Sequence, residues 1–231
     1  MSEVSSDLQH DEAARPPAIE AVIFDMDGLL LDSEIYWERA RREYCRSHRC
    51  EWPPENELSV KGHNSLEWAG VIEERCGLQV GREAIIAGVT ERMRALYRQH
   101  LPLLPGALSA VRELATRYPL GVASSSPPAI IEYALREARI LECFSAVVSS
   151  DEAGRGKPAP DVFLMAADRL GYPPVRIAVF EDSSAGIMAA KAARMFVVAV
   201  PNSHYPPGPE ALSQADMVLP SLEKFRPELL E

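Results

Sequence analysis

AVIFDMDGLLLDSE (21–34) falls into two parts. AVIF is a short, wholly apolar run, which predicts a buried strand. The chain then delivers Asp25, Met26, Asp27 and Gly28, and the glycine would permit a sharp turn. Similar apolar runs recur at LGVAS (120–124), SAVVS (145–149), RIAVF (176–180) and FVVAV (196–200), with DMVL (216–219) as a candidate sixth strand. Stripes with helical period lie between them: Leu108, Val111, Leu114 and Ala115; Ile131, Ala134, Leu135 and Ala138; Val162, Phe163, Ala166, Ala167 and Leu170. Strands alternating with helices predict an α/β, Rossmann-like parallel sheet with helices on both faces.

Residues 34–101 break the rhythm and contain no convincing strand. Their helical stripes (Tyr36, Ala40, Tyr44; Leu66, Ala69, Ile72, Cys76; Ile86, Val89, Met93, Leu96) predict a small helical domain inserted after the first strand. The turn at Leu104-Pro105-Gly106 returns the chain to the core. The core is thus expected at 19–33 and 102–231, and the polar, acidic residues 1–18 are expected to be a mobile tail.

The full chain has 231 residues and a formal net charge of −10. That charge argues against a nucleic-acid partner, which calls for a basic face. No apolar stretch is long enough to cross a membrane, and the first residues lack a secretory pattern. The expectation is a cytoplasmic protein, monomeric or weakly dimeric. Its four cysteines, Cys45, Cys50, Cys76 and Cys143, are expected to be reduced thiols. Cys45 and Cys50 lack a second pair to complete a metal site.

In open parallel sheets, ligands sit beyond the carboxyl ends of the strands. The first strand brings Asp25 and Asp27 there, the second Ser124, the loop after the third Lys157, and the fourth Glu181-Asp182-Ser183. Asp25 is suited to in-line attack on phosphorus, since carboxylates form aspartyl-phosphates. Asp27 could protonate the leaving oxygen and then activate water. A carboxylate attacking a phosphate needs positive charge. Mg²⁺ held by Asp25 and Asp182, with Glu181 as a direct or outer ligand, would supply it. Lys157 would add a fixed cation, and Ser124 a hydroxyl donor to a phosphate oxygen. Ser124 and Ser183 could instead only cap the helices that follow them.

FDMDGLLLDSE (24–34), Ser124, GKPAPDVF (156–163) and VFEDSSAGI (179–187) together resemble the four-motif signature of the haloacid dehalogenase superfamily. The helical insert resembles its C1-capped subfamily, which includes β-phosphoglucomutase and small sugar-phosphate phosphatases. The resemblance spans roughly 19–231. It implies an Asp25 nucleophile, an Asp27 acid/base, Ser124 and Lys157 at the phosphate, and Mg²⁺ on Asp25, Asp182 and the Asp27 backbone carbonyl. It also implies that the backbone amides of Met26, Asp27 and Ser125 cradle the phosphate. Asp27 favours a phosphate ester over a carbon–halogen bond, because similar dehalogenases lack that second aspartate.

Mutase-like members carry a cap-loop arginine for the far phosphate of a bisphosphate. The corresponding stretch here, VKGHNS (60–65), has none. Lys61 replaces it only partly, because it lacks the guanidinium fork. The expectation is therefore a phosphatase acting on a small phosphorylated metabolite, a sugar phosphate or nucleotide-like, with a phosphosugar mutase as the alternative. The cap loop and C-terminal segment also look similar to pseudouridine-5′-phosphatase-like members. Glu34, Lys61, His63 and Asn64 are the candidate specificity residues. Asp32-Ser33-Glu34 could equally just start a helix. His10, His48, His100 and His204 are expected at the surface. A receiver-type signalling module also phosphorylates an aspartate beside Mg²⁺, but its acceptor lies on a later strand and it needs no cap.

Overall fold

The computed structural model describes residues 18–231, so the expected tail lies outside the described residues except for Ala18. The expected strands form β1 (Ala21–Phe24), β2 (Leu120–Ser124), β3 (Ala146–Ser149), β4 (Ile177–Glu181), β5 (Phe196–Ala199) and the short β6 (Met217–Val218). All pair in parallel, in the order β3-β2-β1-β4-β5-β6. The strand order reverses beside β1, which leaves a crevice at the carboxyl ends of β1, β2 and β4.

Every residue of β1 is buried because the sheet is covered on both faces. Alternation sends Val22 and Phe24 to one face, in a cluster with Val111, Leu114 and Ile131. Ala21 and Ile23 point to the other, against Val162, Phe163 and Ile187. The helices responsible are α5 (Ala107–Leu114) and α6 (Pro128–Glu137) on the first face, and α8 (Asp161–Leu170) and α9 (Ser184–Ala192) on the second. Two one-turn helices, α7 (Ser150–Ala153) and α10 (Pro209–Leu212), complete this part.

Between β1 and α5 run α1 (Glu34–Ser47), α2 (Pro54–Leu58), α3 (Ser65–Cys76) and α4 (Arg82–Gln99). α4 packs against both α1 and α3. Two of the expected stripes are rotated. α1 buries Trp37, Ala40, Arg41 and Tyr44, and α3 buries Trp68, Ala69 and Ile72 while Leu66 is exposed. In each case a tryptophan buries more apolar area than the smaller residue of the expected stripe, and that sets the helix's rotation.

The expectation of four reduced cysteines is overturned. Cys50 and Cys76 form a disulfide, which ties the loop after α1 to the end of α3, and Cys45 and Cys143 are free. The partners are 26 residues apart, and the helical hairpin brings their Cα atoms to 5.5 Å. No helix among the described residues is long and apolar enough to cross a membrane. His48, His100 and His204 are exposed, as expected, and His10 lies outside the described residues.

Candidate active site

The crevice gathers the polar groups that the separate strands deliver. Asp25 continues β1, its amide donating to Phe180 O of β4 at 3.0 Å. The buried Lys157 side chain comes in from the loop after α7. Its Nζ donates to Asp25 Oδ1 at 2.5 Å, Glu181 Oε1 at 2.6 Å and Ala123 O at 3.2 Å. An ammonium has three donors, and here all three are used.

The carboxylates have different surroundings. Both Glu181 oxygens are engaged: Oε1 by Lys157, and Oε2 by the Ser183 amide at 2.8 Å and its hydroxyl at 3.0 Å. Ser183 also caps α9, accepting from the Gly186 amide at 3.0 Å. Asp182 is almost wholly buried, yet neither of its oxygens has a hydrogen-bond partner among the described residues. An unpaired buried carboxylate is strongly unfavourable. Ligand oxygens of Asp25, Glu181 and Asp182 lie within 4.8 Å of one another. This all-oxygen, carboxylate-rich set, with one member unpartnered, fits a hard divalent cation such as Mg²⁺. Asp182, together with the Asp25 oxygen that Lys157 does not engage, would hold it. Glu181 instead fixes Lys157.

Without a cation, burial pushes the Asp25 carboxyl up to about 8, with Glu181 and Asp27 adding to the rise and Lys157 opposing it. Burial, then Glu181 and Asp25, also holds Asp182 well above the carboxylate range. Burial alone would lower Lys157, but the Asp25 and Glu181 charges outweigh it and raise it. Two glycines make room for this crowding. A Cβ on Gly28 (φ +87°) would sit 2.2 Å from Asp182 Oδ2, and one on Gly186 would sit 1.6 Å from Glu181 Oε1.

Asp27 is held on both sides. Its Oδ1 accepts from Ser33 Oγ at 2.7 Å and Trp37 Nε1 at 3.1 Å. Its Oδ2 accepts from Ser124 Oγ at 3.0 Å and Ser126 Oγ at 2.7 Å. Ser124 is therefore hydrogen-bonded to Asp27. It also accepts from the Ser126 amide at 3.0 Å, and makes no side-chain cap for α6. The Met26 side chain is buried in the core. Among the described residues, the amides of Met26, Asp27 and Ser125 donate to no protein acceptor, as an anion cradle requires.

Asp25, Asp27 and Lys157 line a cavity that runs up to Glu34, Lys61 and His63. Asn64 does not line it. Its side chain caps α3, accepting from the Glu67 amide at 3.0 Å, and donates to Gly154 O at 3.2 Å. With the Ser65 amide on Asp151 Oδ1 at 2.7 Å and Ser125 Oγ on Gly62 O at 3.0 Å, it latches the helical insert onto the core.

A family model of haloacid dehalogenase-like hydrolases matches residues 19–194. The chain belongs to this family. It is 37% identical over 215 residues to a probable pseudouridine-5′-phosphatase of Drosophila melanogaster, covering 89% of this chain and 91% of that one. It is 34% identical over 179 residues to the fructose-1-phosphate phosphatase YqaB of Escherichia coli, covering 78% and 95%. Among solved structures, a β-phosphoglucomutase from Clostridium difficile superposes with a TM-score of 0.79 at 27% identity, covering 92% of this chain and 95% of that one.

For a haloacid dehalogenase-like hydrolase, the sequence motifs omit several groups that line this site. Trp37 and Ser126 hold Asp27 together with Ser33 of the first motif, and Arg41, Glu57 and Trp68 line the cavity above it. Arg41 had a sequence signal: it is a charged residue on the stripe Trp37, Ala40, Arg41, Tyr44. Ser126 had none, since neighbouring serines in a loop are commonplace.

Proposed function

We propose that this chain is a Mg²⁺-dependent phosphomonoesterase that works through an aspartyl-phosphate on Asp25, with residues 34–101 as the cap over a core of 19–33 and 102–231. The carrying observation is the unpartnered Asp182 carboxylate beside Asp25, with Lys157 between Asp25 and Glu181. Phosphatases among the relatives support a small phosphorylated metabolite as substrate.

A phosphate ester enters with its oxygens toward Lys157 and the free amides of Met26, Asp27 and Ser125. An Asp25 oxygen forms a bond to phosphorus as the ester P–O bond breaks, and Asp27 gives its proton to the departing alkoxide. Asp27, now a carboxylate, takes a proton from water as that water attacks the phosphorus. The Asp25–P bond breaks, and inorganic phosphate and the free carboxylate result. Mg²⁺, held by Asp25, Asp182 and the Asp27 carbonyl, would neutralise the phosphate charge that otherwise repels Asp25. The closed cap excludes bulk water during phosphorylation. The likeness to a β-phosphoglucomutase makes the mutase the second reading. Incubation with β-glucose 1-phosphate and a trace of bisphosphate separates the two. Free phosphate is expected, and rapid formation of glucose 6-phosphate with little phosphate release overturns the phosphatase.

A further inference from the structure

The cavity that starts at Asp25 ends under the cap against Glu34, Arg41, Glu57 and Lys61. These four are paired. Arg41 Nη1 lies 2.5 Å from Glu57 Oε2, and Lys61 Nζ lies 3.2 Å from Glu34 Oε1. Two cations thus face two carboxylates, and this end has no surplus positive charge to balance a second phosphate. Neither pair is loose. The other Glu57 oxygen accepts the Trp52 indole N–H at 2.5 Å. Lys61 Nζ sits 4.1 Å from the Tyr205 ring centroid, and the Arg41 guanidinium 5.2 Å and 5.5 Å from those of Trp37 and Trp68.

Hydrogen-bonding capacity remains. Arg41 Nε and His63 Nδ1 are buried with no partner among the described residues. The Arg41 Nε–H, buried without an acceptor, is costly, so a ligand that supplies one is favoured, whereas the His63 nitrogen donates or accepts according to its tautomer. A guanidinium neutralised by its own carboxylate suits an uncharged acceptor, such as a hydroxyl oxygen, rather than an anion.

We propose that Arg41, backed by Glu57, is a specificity-determining residue of this site: it reads the uncharged, hydroxyl-bearing end of a phosphate monoester and discriminates against bisphosphates. This rests on the phosphomonoesterase reading of the cavity's other end. It also disfavours the mutase, whose cycle must hold a sugar bisphosphate between its two transfers.

An Asp25→Asn protein loaded with Mg²⁺ holds ligand without turnover. Calorimetric titration with fructose 1-phosphate and fructose 1,6-bisphosphate compares ligands that differ only in the far phosphate. The monophosphate is expected to bind roughly tenfold tighter or better. Adding Glu57→Gln uncovers the Arg41 charge and should narrow or reverse the gap. Adding Arg41→Ala should weaken the monophosphate roughly tenfold while leaving inorganic phosphate unchanged. Arg41→Lys keeps the charge with fewer donors and serves if the alanine variant fails to fold. Equal or tighter binding of the bisphosphate, no binding of either sugar, or monophosphate affinity untouched by both Arg41 changes overturns the proposal. The other end of the cavity is tested separately, by phosphate release from p-nitrophenyl phosphate in the wild-type protein. That substrate has no hydroxyl for Arg41, so its failure sinks the phosphomonoesterase reading and the proposal with it, whereas the binding tests can overturn the Arg41 role while p-nitrophenyl phosphate is still hydrolysed.

Discussion

Trp37 Nε1 donates to Asp27 Oδ1 across 3.1 Å, so α1, the first helix of the insert, helps aim a carboxylate that follows β1. The serines that also bind Asp27 can rotate their hydroxyls to donate or accept, whereas an indole N–H can only donate. Trp37 therefore fixes the direction of that oxygen. Trp37→Phe keeps most of the packing and removes this bond, which is worth about 0.5–1.5 kcal/mol. We expect kcat for phosphate release to fall by up to roughly tenfold, with KM little changed. An unchanged kcat in a variant that retains its melting temperature would show that Trp37 does not position Asp27.

Asp25→Asn removes the attacking oxygen while preserving shape. Mg²⁺-dependent phosphate release is expected to fall by about a thousandfold or more. Substantial remaining activity would rule out Asp25 as the nucleophile.

Removal of Lys157 leaves three buried carboxylates facing one another with no cation. Lys157→Met should destabilise the metal-free protein by about 3–5 kcal/mol. Chemical denaturation measures it, and a loss below 1 kcal/mol would mean that these carboxylates are not held in place by the ammonium.

Gly186 gives Glu181 its space. Gly186→Ala puts a methyl group where Glu181 Oε1 now lies, so the carboxylate must move and release Lys157. We expect a folded protein, destabilised by about 1–3 kcal/mol, with phosphate release strongly reduced. Wild-type kinetics in Gly186→Ala would contradict the role given to Glu181.

Metal and protons compete at Asp25. Its carboxyl, ordinarily near 3.8, is pushed up to about 8 in the metal-free fold, chiefly by burial. The folded state then holds a proton that the unfolded state has already lost. Metal-free stability from this group is fully present below about pH 4 and is lost as pH rises toward 8. A cation that binds the ionised carboxylate counters that loss. The rise in melting temperature on adding Mg²⁺ is therefore expected to be larger at pH 8 than at pH 5.5. An equal rise at both values would exclude proton–metal competition, and chelation at pH 8 should reverse the gain.

The sequence by itself determined the layout. Short apolar runs can hide both faces only inside a covered parallel sheet, and the polar residue at the end of each run must then emerge at the same edge. That is why Asp25, Ser124 and Glu181-Asp182 are legible from the sequence, whereas Lys157, in a loop beyond the third strand, is legible from the GKPAPDVF motif. Tertiary structure alone decided how those groups divide the work. Asp182 and Glu181 are neighbours in sequence and both carboxylates, yet one is left without partners and the other is fully engaged by Lys157 and Ser183. Asn64, expected to face substrate, is used up by helix capping and by the latch to Gly154. Cys50 and Cys76 carried no spacing signal, and only the helical hairpin brings them together. The same holds for Arg41 and Glu57, whose partners lie on other helices. Hydrophobic period is a property of neighbours along the chain. Charge pairing and hydrogen-bond satisfaction depend on neighbours in space, which the fold alone assigns.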